Sequence, residues 1–346
     1  MRYLFAIILL LACARARCGE EVTFSLKECI DYALEHSPTL AKQRITVKNQ
    51  ELQSVIEEAR FAFMLTAGDT HYARGGTDDA FVRLTKEFSH GFSVASWVNA
   101  ARENGKGVTT SYVALQVSKT ILGGGSRLAA SYSWKASLID ELAELNTFTR
   151  LERKLAQDVR IAYYEVILAQ QSLQVRLRAL DNAKRTLKNT REREKPLDIL
   201  TAEVKVPEYE LSVNTARRTI RNGLDSLKEL MGMPLDTPFA IQGEYDYKVT
   251  ERNLTEDLQF ARANLETFLN NRLERKKLEW QTEIYDERTL PTVSVSATHY
   301  KYFDGYINSR TEEQQFSVNL SWELGRQSDK ARLAIYRNRL ESNQHD

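Results

Sequence analysis

The sequence predicts a mainly α-helical chain with β-strands, laid out as two tandem structural repeats. Three observations carry that expectation. Residues 26 to 72 slide by 228 positions onto 254 to 300 without a gap, so that Leu26 meets Leu254, Arg44 meets Arg272, and Thr70-His71-Tyr72 meets Thr298-His299-Tyr300. Inside each copy the apolar period changes from three-and-four to two, so helix gives way to strand within one register. No window approaches the twenty or so apolar residues of a membrane-spanning helix, and any crossing of a bilayer must then use closed β-structure.

Met1-Arg2 and the apolar run Tyr3 to Ala12 read as a secretory signal cut at Ala14-Arg15-Ala16, which makes residues 1–16 a signal peptide. Leu10-Leu11-Ala12-Cys13 also has the shape of a lipobox, so lipidation of Cys13 stays open. Ser25-Leu26-Lys27-Glu28 is a capping-box pattern and Ser37-Pro38 sets a second helix start, giving helices over 25–63. Ala41, Ile45, Leu52, Val55 and Ala59 recur as a narrow heptad-like stripe, expected to pack in a helical seam. Over 64–135 the period is two, with strands expected at 64–74, 80–92, 109–121 and 127–135 and glycine turns at 75–76, 105–107 and 123–125.

From Asn146 helical spacing returns, and Leu151, Leu155, Val159, Ala162 and Val166 open a seam running to about Arg193. A rod of roughly 70 Å cannot bury that seam alone and needs a partner helix. Lys195-Pro196-Leu197-Asp198 turns the chain, and Val206, Val213, Ile220, Leu227 and Met231 form the return seam, with Pro207 expected to kink or restart it. The hairpin 146–232 closes the first repeat (24–232), and 233–253 is a connector with a short strand. The second repeat, 254–346, is expected as helices over 254–288, strands over 292–323 and the start of a helix over 327–346. It lacks a counterpart of the long hairpin, so the sequence reads as truncated by roughly 80 to 100 residues.

In this order the segments resemble the outer-membrane efflux protein family, the TolC-like channel-tunnels. The resemblance rests on Ser25 to Leu40 (SLKECIDYALEHSPTL), Ala162 to Gln170 (AYYEVILAQ), Pro196 to Glu203 (PLDILTAE) and Leu227 to Leu235 (LKELMGMPL), and it covers residues 25 to about 340. It implies a long coiled-coil α-helical barrel joined to transmembrane β-barrel strands, in a homotrimer whose subunits give four strands each. It also implies a place in the outer membrane of a Gram-negative-type bacterium, embedded in lipid and reaching into the periplasm. There such proteins meet a periplasmic adaptor protein and an inner-membrane pump of a tripartite efflux or type I secretion system. They are passive conduits for small molecules or proteins, without cofactor. At the tip this sequence departs from the family pattern, because Arg191-Glu192-Arg193-Glu194-Lys195 runs straight into Pro196 without the usual glycine.

Forty-eight Lys+Arg against 47 Asp+Glu leave a net charge of +1, which gives no electrostatic footprint for nucleic acid. The histidines at 36, 71, 90, 299 and 345 show no metal-ligand spacing, and no carboxylate sits in a catalytic motif, so neither metal site nor enzyme is expected. Two groups of candidate residues remain. Lys195, Pro196, Leu197 and Asp198 at the tip are expected to dock the adaptor, with Asp198 as N-cap of the return helix and, in three copies, an acidic ring favouring cations. Tyr72, Tyr112, Tyr132, Trp134, Tyr300, Tyr302 and Trp322 are expected on strands, as aromatics at the membrane interfaces. Two rival readings stay open: a periplasmic coiled-coil adaptor or structural protein with a soluble sheet, and a non-functional remnant of a channel.

Overall fold

The computed structural model describes residues 22–71, 77–103, 108–192, 196–243, 252–304, 310–322 and 325–345. In chain order the elements are β1 (Val22–Phe24), α1 (Leu26–His36), α2 (Pro38–Ala59), β2 (Phe63–Thr70), β3 (Thr77–Glu87), β4 (Phe92–Glu103), β5 (Val108–Leu122) and α3 (Arg127–Glu192). They continue with α4 (Pro196–Met231), β6 (Phe239–Ile241), α5 (Leu254–Asn264), α6 (Glu266–Arg288), β7 (Thr292–Asp304), β8 (Arg310–Ser321) and α7 (Gln327–His345). α5 and α6 start at Leu254 and Glu266, the positions that the 228-residue offset pairs with Leu26 and Pro38. The chain divides into two compact units, one formed by residues up to Thr46 with Thr147–Asp257 and the other by Val47–Asn146 with Leu258 onward.

One apolar core holds the first unit. α1 starts at the capping box, where the Ser25 N–H donates to the Glu28 carboxylate at 2.8 Å and the Glu28 N–H donates back to the Ser25 hydroxyl at 3.4 Å. The inner face of α1 places Cys29 and Ala33 in one buried cluster with Leu155, Val159 and Val166 of α3 and Leu227 and Met231 of α4. The parallel pair β1–β6, with Val22 opposite Phe239 and Phe24 opposite Ile241, adds to this cluster. The Tyr163 hydroxyl of α3 donates to the Gln242 carbonyl just beyond β6 at 2.7 Å.

α4 ends in a Schellman turn, in which the Met233 N–H donates to the Lys228 carbonyl at 2.8 Å and Gly232 takes a φ of 70°. A Cβ at Gly232 would lie 2.6 Å from the His36 carbonyl oxygen, so both backbone angle and space demand glycine. Pro207 sits inside α4 without ending it, and no second helix start is needed.

The second unit carries a six-stranded antiparallel sheet in the order β2-β3-β4-β5-β7-β8. Two expectations need correction. Residues 127–135 are helix, because Ser126 caps α3 by accepting the Ala129 N–H at 3.1 Å. Ser131 then returns its hydroxyl to the Arg127 carbonyl at 2.8 Å, which satisfies along the helix a polar atom of the alternating pattern, and Ser137 does the same to the Trp134 carbonyl at 2.7 Å. Conversely, β4 is a full strand where none was expected, so the sheet has six strands and not the four that the resemblance implies. The additional hairpin is β3–β4, with Phe88 and Phe92 stacked at 4.2 Å across its turn.

Polar contacts surround the first turns of α3. Ser54 of α2 donates to Glu141 at 2.9 Å, and Lys277 of α6 pairs with Asp140 at 2.7 Å. Tyr285 of α6 stacks on Tyr336 of α7 at 5.0 Å. Because α2 turns Gln50 and Ser54 toward α3, its predicted apolar stripe points the other way, and Ile45, Leu52 and Val55 are exposed.

Candidate functional site

Directly opposed residues of an antiparallel ladder share a face, and successive residues alternate between faces. Following the register across the sheet therefore sorts its side chains. One face contains the row Lys86, Val94, Val117, Ala297, Phe316, the row Leu65, Leu84, Ser96, Leu115, His299, Gln314, and the row Ala67, Val82, Val98, Val113, Lys301, Glu312. The other face contains the row Ser93, Ser118, Ser296, Ser317, the row Thr85, Ala95, Gln116, Thr298, Gln315, and the row Thr66, Arg83, Trp97, Ala114, Tyr300, Glu313. The first face is aliphatic between charged ends, and the second is hydroxyl and amide with aromatics set in it. Serine hydroxyls pair across strands on the second face, Ser93 with Ser118 at 2.7 Å and Ser296 with Ser317 at 2.6 Å.

The solvent sees the wrong face for a water-soluble sheet. On the central strand β5, Val113, Leu115 and Val117 of the aliphatic face are 37%, 49% and 45% exposed, whereas Ala114 between them, on the polar face, is 0% exposed; on the edge strand β8, Phe316, Val318 and Leu320 are all exposed. A soluble sheet buries its aliphatic face, and an exposed patch of this kind marks a partner or a lipid surface. β2 and β8 form the two edges, each with a strand on one side only among the described residues. Such edges offer unpaired backbone donors and acceptors to another strand.

Of the aromatics expected at membrane interfaces, Tyr72 lies outside the described residues. Tyr132 and Trp134 are in α3 and not on a strand, as the Ser126 cap dictates. Trp134 meets Phe61 edge-on at 6.3 Å, and burial pushes the Tyr132 hydroxyl up to about 12. Tyr112, Tyr300 and Tyr302 do lie on β5 and β7, but on the hydroxyl-rich face, where they gather with Trp97 of β4. Ring centres are 6.2 Å apart for Trp97 and Tyr300, 5.8 Å for Tyr112 and Tyr300, and 5.6 Å for Tyr112 and Tyr302. The Arg83 guanidinium stands 4.8 Å over the Trp97 ring. Trp322 is exposed one residue past the end of β8. The aromatics on the aliphatic face are Phe63, Phe92, Phe303 and Phe316.

At the far end of the hairpin Lys195 lies outside the described residues, while Pro196, Leu197 and Asp198 form the first turn of α4. Asp198 is therefore the third residue of the helix and not its N-cap, a position where its charge still opposes the positive end of the helix dipole. Arg191 pairs with Glu203 at 2.6 Å and Lys184 with Glu210 at 3.0 Å, clamping α3 to α4. Between them Ala179, Ala183, Thr186, Thr190 and Ala202 leave a crevice beside Asp198. α4 also carries Leu197, Leu200, Val204 and Leu211, spaced three, four and seven apart and all exposed, a second apolar stripe beside the Val213–Ala216 seam that packs on α3. In the sequence this stripe is masked by the stronger seam of Val206, Val213 and Ile220.

Among the described residues no cluster of three or more His, Cys, Asp or Glu is placed to hold a metal ion, and no helix is long and apolar enough to cross a membrane. The fold is that of solved outer-membrane channels. CusC is similar with a TM-score of 0.64 at 13% identity, over 93% of this chain and 71% of CusC. The outer membrane protein VceC of Vibrio cholerae gives 0.60 at 14%, over 92% of this chain and 74% of VceC. The open-state outer membrane channel MtrE of Neisseria gonorrhoeae gives 0.62 at 15%, over 92% of this chain and 68% of MtrE. No protein-family model matches the sequence, and no curated protein matches it.

Proposed function

We propose that this chain is a subunit of a TolC-like outer-membrane efflux or secretion channel. The observation that carries the reading is the sheet, aliphatic on its exposed face, hydroxyl-rich on the other, and open at both edges. Three copies set edge to edge, β8 of one beside β2 of the next, close a barrel of roughly eighteen strands, a size that leaves an aqueous lumen. The aliphatic face meets lipid and the serine rows line water. The exposed stripes on α2 and α4 give each subunit faces for neighbouring helices, which continue the conduit into the periplasm. The tip at Lys195 to Asp198 meets a periplasmic adaptor coupled to an inner-membrane pump. The channel is a passive conduit for small molecules or proteins, and the pump supplies the driving force.

Fractionation, gel electrophoresis with and without boiling, and planar-bilayer recording test this together. The expected result is outer-membrane recovery, a trimer-sized band that heating converts to monomer, and a steady conductance. Recovery as a soluble periplasmic monomer contradicts the proposal.

A further inference from the structure

We infer that the polar face of the sheet carries a binding platform for saccharide rings, centred on Trp97, Tyr112, Tyr300 and Tyr302. The inference rests on the reading above, in which that face lines the lumen. The four rings form a chain of contacts with centres 5.6 to 6.2 Å apart, spread over β4, β5 and β7. Each is half-buried, so ring surface stays open to whatever occupies the lumen. The hairpin β3–β4, which exceeds the four-strand plan, supplies both Trp97 and the Arg83 that stands over it.

The surroundings select the ligand class. The face around the rings carries Ala95 and Ala114 but none of the valines or leucines of β3–β5, so the rings have no large aliphatic core to join. A greasy solute would find only the small side chains of Ala95 and Ala114 beside the rings, and a lipophilic cation would meet Arg83. A pyranose offers an apolar C–H face to stack on an aromatic ring and a rim of hydroxyls for hydrogen bonding. That rim meets Asn99 next to the cluster, Gln116 and Thr298 in the adjacent row, and Glu313, whose carboxylate accepts from the Tyr302 hydroxyl at 3.4 Å. The same chemistry serves an oligosaccharide leaving the periplasm or a glycan presented at the cell surface. The side of addition separates the two.

The test uses the full chain reconstituted in a planar bilayer, with maltohexaose added at millimolar concentration to one side and then the other. Concentration-dependent interruptions of the current are expected from at least one side. Tyr300→Ala should weaken them by about tenfold, equivalent to about 1.4 kcal/mol, while Tyr300→Phe, which keeps the ring, should not. If Tyr300→Ala fails to form the heat-modifiable oligomer, Trp97→Leu in the accessory hairpin gives the same comparison. A purely structural role for the rings would lower heat stability in these variants and leave the sugar response unchanged, which would overturn the platform. An open channel that maltohexaose never interrupts overturns the platform alone. A chain that forms no channel at all overturns the channel reading and the platform with it.

Discussion

Gly232 carries a constraint that no other residue type satisfies, a φ of 70° with a carbonyl oxygen 2.6 Å from where a Cβ would sit. Gly232→Ala is expected to destabilise the first unit by at least about 1–2 kcal/mol from the backbone angle alone, read as an earlier thermal transition. Ser25 and Glu28 make a milder and pH-dependent case. The Ser25 N–H, and after it the Ser25 hydroxyl, hold the Glu28 carboxyl below its ordinary value of 4.5. A lowered acid adds stability above its unfolded value and loses it as pH falls through the folded one. Ser25→Ala should therefore cost about 1 kcal/mol at neutral pH, and its gap from wild type should narrow below pH 4.5 in paired denaturation curves. Cys29 is a free thiol at 0% exposure, and burial pushes it up to about 12, so maleimide should label it only after unfolding. In a Cys13→Ser, Cys18→Ser background, where Cys29 is the one thiol, labelling at the rate of an exposed thiol in the native protein would contradict the core described around it.

Among the elements, those with strong periodicity were legible and those with mixed faces were not. α1 and α2 announce themselves through Ser25, Glu28 and Pro38, and β5 through the alternation Val113, Leu115, Val117. β4 was hidden because its aliphatic face includes Ser96 and Ala100 while its polar face includes Trp97, which flattens the contrast between phases. The first turns of α3 were misread for the converse reason, since small residues around Tyr132 alternate as a strand would, and only Ser126 marks the cap. Which face Tyr112, Tyr300 and Tyr302 take is a separate matter from their place on strands. A strand's own alternation does not say which phase faces which way; hairpin turns and neighbouring register decide it. At this scale the sheet makes a sharp prediction. Val318→Arg, on the aliphatic face, should oppose insertion by about 2–4 kcal/mol near mid-bilayer, whereas Asn319→Arg, one residue on, should be tolerated. Yield of heat-modifiable oligomer in the outer membrane measures both. Leu211→Asp in the second stripe of α4 should weaken the same oligomer without lowering the helix content of the chain.

At the scale of the whole molecule, the sheet is inverted relative to a soluble one: on its central strand β5 the aliphatic residues are the exposed ones. That arrangement is unstable in water and stable in a bilayer around a water-filled lumen. Among the described residues β2 and β8 are the sheet's edges and the stripes on α2 and α4 are exposed; in the proposed channel these are the surfaces that copies of the same chain would cover. The most direct test places single spin labels along β8 from Gln314 to Leu320, in a protein without its native cysteines and reconstituted in lipid. Accessibility to oxygen, which concentrates in lipid, and to an aqueous nickel complex is then read at each site. A period of two is expected, with Phe316, Val318 and Leu320 facing lipid and Gln315, Ser317 and Asn319 facing water. Labels that are uniformly water-accessible, or an alternation of the opposite phase, would contradict it.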